Sequence, residues 1–288
     1  MIDIKNFQVR EGSKVDLNAW PTRIAPIHRT QAQYDAAISE RIKKLSALQE
    51  KLYASNRYAL LVIFQGMDTA GKDGVIKHVM SGVNPQGCHI RSFAHPSATE
   101  LDHDFLWRTT RELPERGMIG IFNRSYYEEV LIARVHPEIL TGEHLPDMRR
   151  QKKTIWQSRY RSIRHFEKHL HENGTLAIKI FLHLSPEEQR KRLLKRIDDP
   201  QKNWKMSAAD IEERKFWKSY MDAYEKCLAA TSTRQAPWYV VPADDKQTSR
   251  LLVSQIILDT MKTLNLALPK SGKKRQEELL FLRNQLTE

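Results

Sequence analysis

Short apolar runs recur along the chain, separated by longer stretches where apolar residues return every three or four positions. The strongest run is Tyr58-Ala59-Leu60-Leu61-Val62-Ile63-Phe64. Weaker ones follow at His89–Phe93, Gly117–Asn123, Leu176–Leu182 and Trp238–Val241. Runs this short, bounded by turn residues, read as strands buried on both faces. Between them the helical period predicts a helix after Thr30, with Tyr34, Ile38, Ile42, Leu45 and Leu52 on one stripe, ending near Asn56. Thr30 and Gln33 form its capping box. Further helices are expected over about 71–81, 97–113, 126–134, 147–172 and 245–264. Gly82–Gly87 is a turn. Residues 1–29, with Pro21 and Pro26, lack a clear period and read as an extended arm lying on the domain.

Strands alternating with helices give an α/β fold, a three-layer α/β/α sandwich on a five-stranded parallel sheet. In such sheets ligands bind at the carboxyl ends of the strands. The expected division is an N-terminal arm and helix over 1–56, a main domain over 57–265 with an inserted module at about 186–230, and a basic tail or helix over 266–288.

The net charge of +12 changes the picture, because it asks for an anionic partner. Nucleic acid, an anionic membrane surface and a small polyanion all satisfy it. Two cysteines, Cys88 and Cys227, have no metal-binding spacing and suggest a reducing compartment. No targeting or membrane-spanning segment is read, so the cytoplasm is expected.

The candidate chemistry starts immediately after the strongest strand. Gly66-Met67-Asp68-Thr69-Ala70-Gly71-Lys72-Asp73 joins that strand to a helix, the arrangement of a phosphate-binding P-loop. Backbone N–H groups of Gly66, Thr69, Ala70 and Gly71 and the helix N-terminus would meet phosphate oxygens, with Lys72 as a mobile charge. A standard loop has Ser or Thr after its lysine, to hold Mg²⁺. Here Asp73 stands there and Asp68 lies inside the loop. Two carboxylates beside phosphate repel it unless a hard cation lies between them, so Asp68 and Asp73 are candidate metal ligands.

After the third strand comes Asn123-Arg124-Ser125-Tyr126-Tyr127-Glu128-Glu129. Asn123 can bond a metal-bound water, and Arg124 can clamp phosphate oxygens or steady charge on a transferred group. Glu128 or Glu129 either orients an acceptor or merely complements a helix N-terminus. Ser185-Pro186-Glu187-Glu188 starts a basic helix carrying Arg192 and Arg196 on one face, and Ser207 starts the next. A basic helix–loop–helix inserted late in a P-loop sheet is built like a lid. Lys77, Arg91, His95, His103, Arg108 and Arg111 form a further basic set suited to a chain of negative charges. His165-Phe166-Glu167-Lys168-His169 has histidines four apart but its glutamate misplaced for a zinc-protease motif, so the cluster reads as a solvent face, and the tryptophans form no base-stacking stripe.

Together these residues resemble the polyphosphate kinase 2 family. The resemblance rests on GMDTAGKDG (66–74), ELDHDFLWR (100–108), FNRSYYEEVLIARVHPE (122–138) and KRLLKRIDDPQKNWKMS (191–207). It runs in order over roughly residues 20–265. It implies a thymidylate-kinase-like fold with a helical lid and Mg²⁺-dependent, reversible phosphoryl transfer between inorganic polyphosphate and a nucleotide, with Mn²⁺ as an alternative ion. Asp68, Lys72, Asp73, Asn123, Arg124 and Glu128 would then be catalytic. Lys72, Lys77, Arg192, Arg196 and Lys205 would meet phosphates, and Arg108, Arg134 and Glu138 the nucleotide. Asn123, where other subclasses tend to have aspartate, and Arg134–Glu138 resemble class III, which phosphorylates AMP and ADP. Guanine nucleotides are included as partners, and a homodimer or homotetramer is implied. Nucleic acid and membranes are not expected as partners. The alternatives are an ATP-dependent nucleoside or nucleotide kinase of the same fold, a class I polyphosphate:ADP phosphotransferase, and a non-catalytic polyanion-binding protein.

Overall fold

The computed structural model describes residues 3–143, 145 and 154–287. Its centre is a five-stranded sheet, every pair parallel, in the order β2-β3-β1-β4-β5. The strands are β1 Ala59–Gln65, β2 Cys88–Ser92, β3 Ile119–Asn123, β4 Thr175–His183 and β5 Trp238–Pro242. β1, buried along its whole length, lies in the middle. Its alternation feeds two cores. Leu60, Val62 and Phe64 pack on one face with helices α1 (Gln31–Ser55), α2 (Lys72–Val79) and a helix after β5, Lys246–Lys262. Leu61 and Ile63 pack on the other, with Ile155–Glu172 and Trp217–Thr231. This is the expected three-layer sandwich, and the sheet's period of two explains why continuous apolar runs were needed.

α1 begins at Thr30 as read, its hydroxyl accepting from Gln33 N at 3.2 Å, but the capping box is not completed because Gln33 Oε1 accepts from Arg29 N at 2.8 Å; Asn56 closes the helix in the left-handed conformation. The stretch 97–113 differs from the single helix expected. It forms two single turns, α3 (Ala98–Leu101) and α4 (Trp107–Thr110), because the Asp104 carboxylate accepts from Leu106 N at 2.9 Å and restarts the chain. Residues 126–134 also divide, into a 3-10 turn Tyr126–Val130 and α5 (Ile132–Val135). The long helix expected over 147–172 is α6, Ile155–Glu172; residues 147–153 lie outside the described residues. After β4 come α7 (Pro186–Asp198), α8 (Ala208–Lys215) and α9 (Trp217–Thr231), over the stretch expected as a lid module, of which α9 packs into the second core; α10 is Lys246–Lys262 and α11 Lys273–Thr287.

The N-terminal arm packs onto both cores, with Ile4, Phe7, Ile24 and Ile27 against the first and its most buried residues in the second. Val9, Val15 and Leu17 are buried there, Val9 N donates to Trp238 O at 2.9 Å, and Gln8 bridges Tyr239 antiparallel along the outer margin of β5. No residue of α11 is buried.

Candidate active site

The carboxyl ends of β1, β3 and β2 coincide, since Phe64 stands opposite Asn123 and Asn123 opposite Ser92. The loop Gly66–Gly71 and the segment after Asn123 therefore leave the sheet side by side. Two glycines permit the loop. Gly71 has φ +102°, and a Cβ on Gly66 would stand 3.0 Å from Leu182 O. Thr69 and Arg124 adopt positive φ without being glycine, at 62° and 65°, which costs on the order of 1–3 kcal/mol each.

Lys72 opens α2 and donates to Gly66 O at 2.7 Å. Burial pulls its amine below the ordinary lysine range and the Arg124 charge adds to this, while Asp68, Glu128 and Asp73 oppose it. Burial also works against the charge of Arg124, but Glu128 and Asp68 outweigh it and raise that guanidinium further. Arg124 reaches Asp68 at 3.4 Å. The Asn123 amide donates to Asp73 at 2.7 Å and to Ser92 Oγ at 3.3 Å. Its own oxygen is buried without a partner, as is the Thr69 hydroxyl.

Those orphaned oxygens beside two carboxylates suit a hydrated hard cation. Among the described residues no group of three or more His, Cys, Asp or Glu side chains could hold a metal alone. Asp68 and Asp73 match Mg²⁺ instead, which takes one or two carboxylates, several waters and substrate phosphates.

Three cavities meet here. The central one, about 230 Å³, is lined by Asp68, Thr69, Lys72, Asp73, Asn123, Arg124 and Arg196. On the α10 side lies a cavity of about 340 Å³ where the loop faces Lys195, Arg196, Lys202, Lys205, Lys246 and Arg250, with no carboxylate in its lining. Burial first, then Arg192, Lys195 and Arg250, lower the Lys246 amine, the signature of crowded cations. On the opposite side is a cavity of about 140 Å³ lined by Asp68, Arg124, Glu128, Asp210, Glu213, Tyr220 and Tyr224.

The structure sorts the expected residues. Of the two glutamates, Glu128 faces the acidic cavity, while Glu129 is buried and its carbonyl accepts from Arg159 at 2.6 Å. Arg196 has no hydrogen-bond or ion-pair partner among the described residues and lines two cavities; Lys205 lines the basic one. Arg192 departs from the phosphate-binding expectation. Its Nε donates to Glu188 at 2.9 Å, Nη1 to Thr69 O and Ala70 O at 3.0 and 3.2 Å, and Nη2 to Ala243 O and Asp244 O at 2.6 and 3.1 Å. That uses every N–H an arginine has. Here Arg192 clamps the P-loop to the end of β5 and lends only its charge to the cavity.

Lys77 is exposed and lines none of the three cavities, nor do Arg108, Arg134 and Glu138. Arg108 is buried, donates to Ala94 O at 3.0 Å and covers the Phe93 ring, so it braces the loop after β2. Arg134 lies over Trp156 and reaches the Tyr160 hydroxyl at 3.4 Å. Glu138 stands in solvent, 3.2 Å from His136, whose other nitrogen is 3.1 Å from Glu213. Sequence reasoning missed Lys246 and Arg250, although their spacing at the start of the helix after β5 sets both at the ligand edge. It also missed Glu213, Tyr220 and Tyr224, which carry no motif.

Among the described residues no helix is long and apolar enough to cross a membrane. The polyphosphate kinase 2 (PPK2) family model matches residues 28–269. The chain is 60% identical over 285 residues, 99% of each sequence, to an ADP-polyphosphate phosphotransferase of Rhodopseudomonas palustris. It is 43% identical over 228 residues, 79% of this chain and 81% of the other, to an AMP/ADP-polyphosphate phosphotransferase of Meiothermus ruber. The fold resembles the crystal structure of polyphosphate kinase 2 from Arthrobacter aurescens with a TM-score of 0.86 and 38% identity, covering 97% of this chain and 96% of that one.

Proposed function

The chain belongs to the polyphosphate kinase 2 family and is a polyphosphate-dependent nucleotide kinase, and we propose that it moves the terminal phosphoryl group of inorganic polyphosphate onto both ADP and AMP, reversibly and with Mg²⁺. The observation that carries this reading is the sorting of charge about the P-loop. On one side is a cavity whose charged lining residues are all cations, and on the other one that adds carboxylates and tyrosines to Arg124. Polyphosphate, with about one negative charge per residue, suits the first as polyelectrolytes suit basic channels. The second suits a nucleotide, whose base and ribose tolerate carboxylates that would repel a bare phosphate chain.

Transfer then takes place between the two, over Asp68, Lys72 and Arg124. An acceptor phosphate oxygen attacks the terminal phosphorus, the bond to the bridging oxygen breaks, and the shortened chain leaves. No covalent enzyme intermediate is required; positioning and charge balance suffice. Lys72 and the loop N–H groups hold the donor, and Arg124 faces the charge spread over the group in transit. Bound Mg²⁺ would neutralise and align the phosphates, held by Asp68 and Asp73 with the Asn123 oxygen offered to one of its waters.

Asn123 and the segment Arg134–Glu138 support the class III reading, as does the AMP/ADP name of the Meiothermus ruber relative; the Rhodopseudomonas palustris relative is named for ADP alone. Both cysteines are free, which fits a reducing compartment and hence the cytoplasm. A homodimer or homotetramer completes the proposal and is checked by light scattering. The deciding experiment is nucleotide product analysis with polyphosphate, Mg²⁺ and AMP, ADP or GDP separately. ADP and ATP formed from AMP only when polyphosphate is present is the expected result. Product from ADP alone would reject class III and leave the family intact.

A further inference from the structure

Helix α6 does more than cover the sheet. Its buried face runs Tyr160, Ile163, Glu167, Leu170, with one carboxylate in an apolar stripe. On β4, Lys179 shares a face with Ala177 and Phe181 and is fully buried. The Lys179 amine donates to Glu167 Oε2 at 2.6 Å and to Thr231 O at 2.8 Å. The hydroxyls of Tyr126 and Tyr127 both donate to Glu167 Oε1, each at 2.8 Å. Trp238 Nε1 donates to the Thr231 hydroxyl at 2.9 Å and extends this buried network.

Such a pair is a poor source of stability, because the desolvation of two ions cancels most of their attraction and apolar residues of equal volume often do as well. Its geometry has another use. Tyr126 and Tyr127 are the second and third residues after Arg124. Successive side chains in a 3-10 turn diverge by about a third of a revolution. Two neighbouring hydroxyls therefore reach one oxygen in only a narrow range of turn orientations. The segment is held elsewhere too: Arg124 N donates to Phe64 O at 3.0 Å, and the Ser125 hydroxyl accepts from Tyr127 N at 3.2 Å. Without the tyrosine contacts, the positive-φ conformation of Arg124 has fewer bonds opposing its relaxation.

We infer that Glu167 is a positioning residue for phosphoryl transfer: its carboxylate, fixed by Lys179, holds Tyr126 and Tyr127 so that Arg124 faces Asp68 and the P-loop. The inference rests on the reading of Arg124 as the group that meets the transferred phosphoryl. Lys179 belongs to the same device, since it fixes which oxygen of Glu167 is left for the tyrosines.

The test is a mutant cycle with polyphosphate and ADP as substrates. Tyr126→Phe/Tyr127→Phe, Arg124→Lys and the triple variant are compared for kcat, both KM values and thermal unfolding. Phenylalanine preserves the packing, and Glu167 still pairs with Lys179. The tyrosine variant is expected to lose about tenfold in kcat with both KM values within about twofold of the parent. In the Arg124→Lys background the same change should cost little more, because both act through one guanidinium. An unchanged kcat in the tyrosine variant, with Arg124→Lys severely impaired, overturns the inference while the reading of Arg124 stands. Near-normal kinetics in Arg124→Lys remove that reading and the inference with it. Losses that multiply independently in the triple variant indicate general loosening and also overturn it. Should the paired variant fail to fold, Tyr127→Phe alone is held to the same criteria.

Discussion

Two of the ionic clusters among the described residues stand in contrast, one closed and one open. In the closed cluster Lys179 meets Glu167 and a carbonyl, and Glu167 meets two tyrosines. In the open one Lys195, Arg196, Lys205, Lys246 and Arg250 crowd a cavity, and of its lining only Lys202 and Arg192 pair with carboxylates among the described residues, those of Asp199 and Glu188. Lys179 and Lys246 both have amines pulled below the ordinary lysine range, with burial as the first cause. What differs is what comes next: Glu167 opposes the pull on Lys179, whereas further cations reinforce it on Lys246. A shifted lysine therefore identifies nothing by itself. The inventory of partners separates a charge the fold consumes from a charge left for a ligand.

The sharpest way to break that contrast is to remove the carboxylate at the junction. Asp68→Asn is expected to lower kcat by roughly 100-fold or more while leaving the unfolding midpoint near the parent's; soluble protein with near-normal Mg²⁺-dependent turnover would remove Asp68 from the metal site. Next comes a comparison within one helix. Arg192 and Arg196 are one turn apart on α7, the first saturated and the second without a partner among the described residues. Arg192→Ala should destabilise the fold by on the order of 2–4 kcal/mol, because it strands four carbonyls and Glu188. Arg196→Ala should leave the unfolding midpoint unchanged and raise KM for polyphosphate about tenfold. Equal effects in calorimetry and kinetics would erase the distinction between consumed and available charge.

A smaller effect concerns salt. KM for polyphosphate should rise steeply with ionic strength, and Lys246→Ala or Arg250→Ala should each flatten the logarithmic slope by about one unit. The smallest concerns pH. A lysine lowered in the fold sheds its proton before it would in the unfolded chain, so kcat/KM for polyphosphate should decline on the alkaline side before the ordinary value of 10.5. In that window the unfolded chain binds more protons, so the contribution of Lys72 to stability rises with pH as activity falls. An alkaline limb at or above 10.5 would contradict the depressed amine.

Much of the fold was legible because its strongest signals are local. β1 is an unbroken apolar run, and loop glycines with a lysine follow it directly. What was illegible depended on which face a residue meets. Lys179 interrupts an apolar run with no partner in the linear sequence, and the sheet's period of two sets it inside the second core. His165 and His169 are exposed, as a solvent face requires, but Glu167 between them falls on the helical stripe of Tyr160, Ile163 and Leu170. Its 3.6-residue spacing was available; the assumption that a glutamate faces water concealed it. The acidic cavity draws on the P-loop, the turn after β3, α5, α7, α8 and α9, and no linear pattern brings those elements together. Arg192 was read from its charge, whereas its role follows from five acceptors that only tertiary structure supplies.

The two margins of the sheet are unequal. Along β5 the N-terminal arm supplies a bridge and a backbone hydrogen bond, so an incoming strand finds that border already taken. β2, at the other border, is mostly exposed and carries His89 and Arg91, both facing Glu112 at 3.7 and 3.5 Å. Charged side chains on an outer strand are a common guard against edge-to-edge aggregation. This polyphosphate-dependent kinase thus has one border of its sheet sealed by its own chain and the other defended by charge.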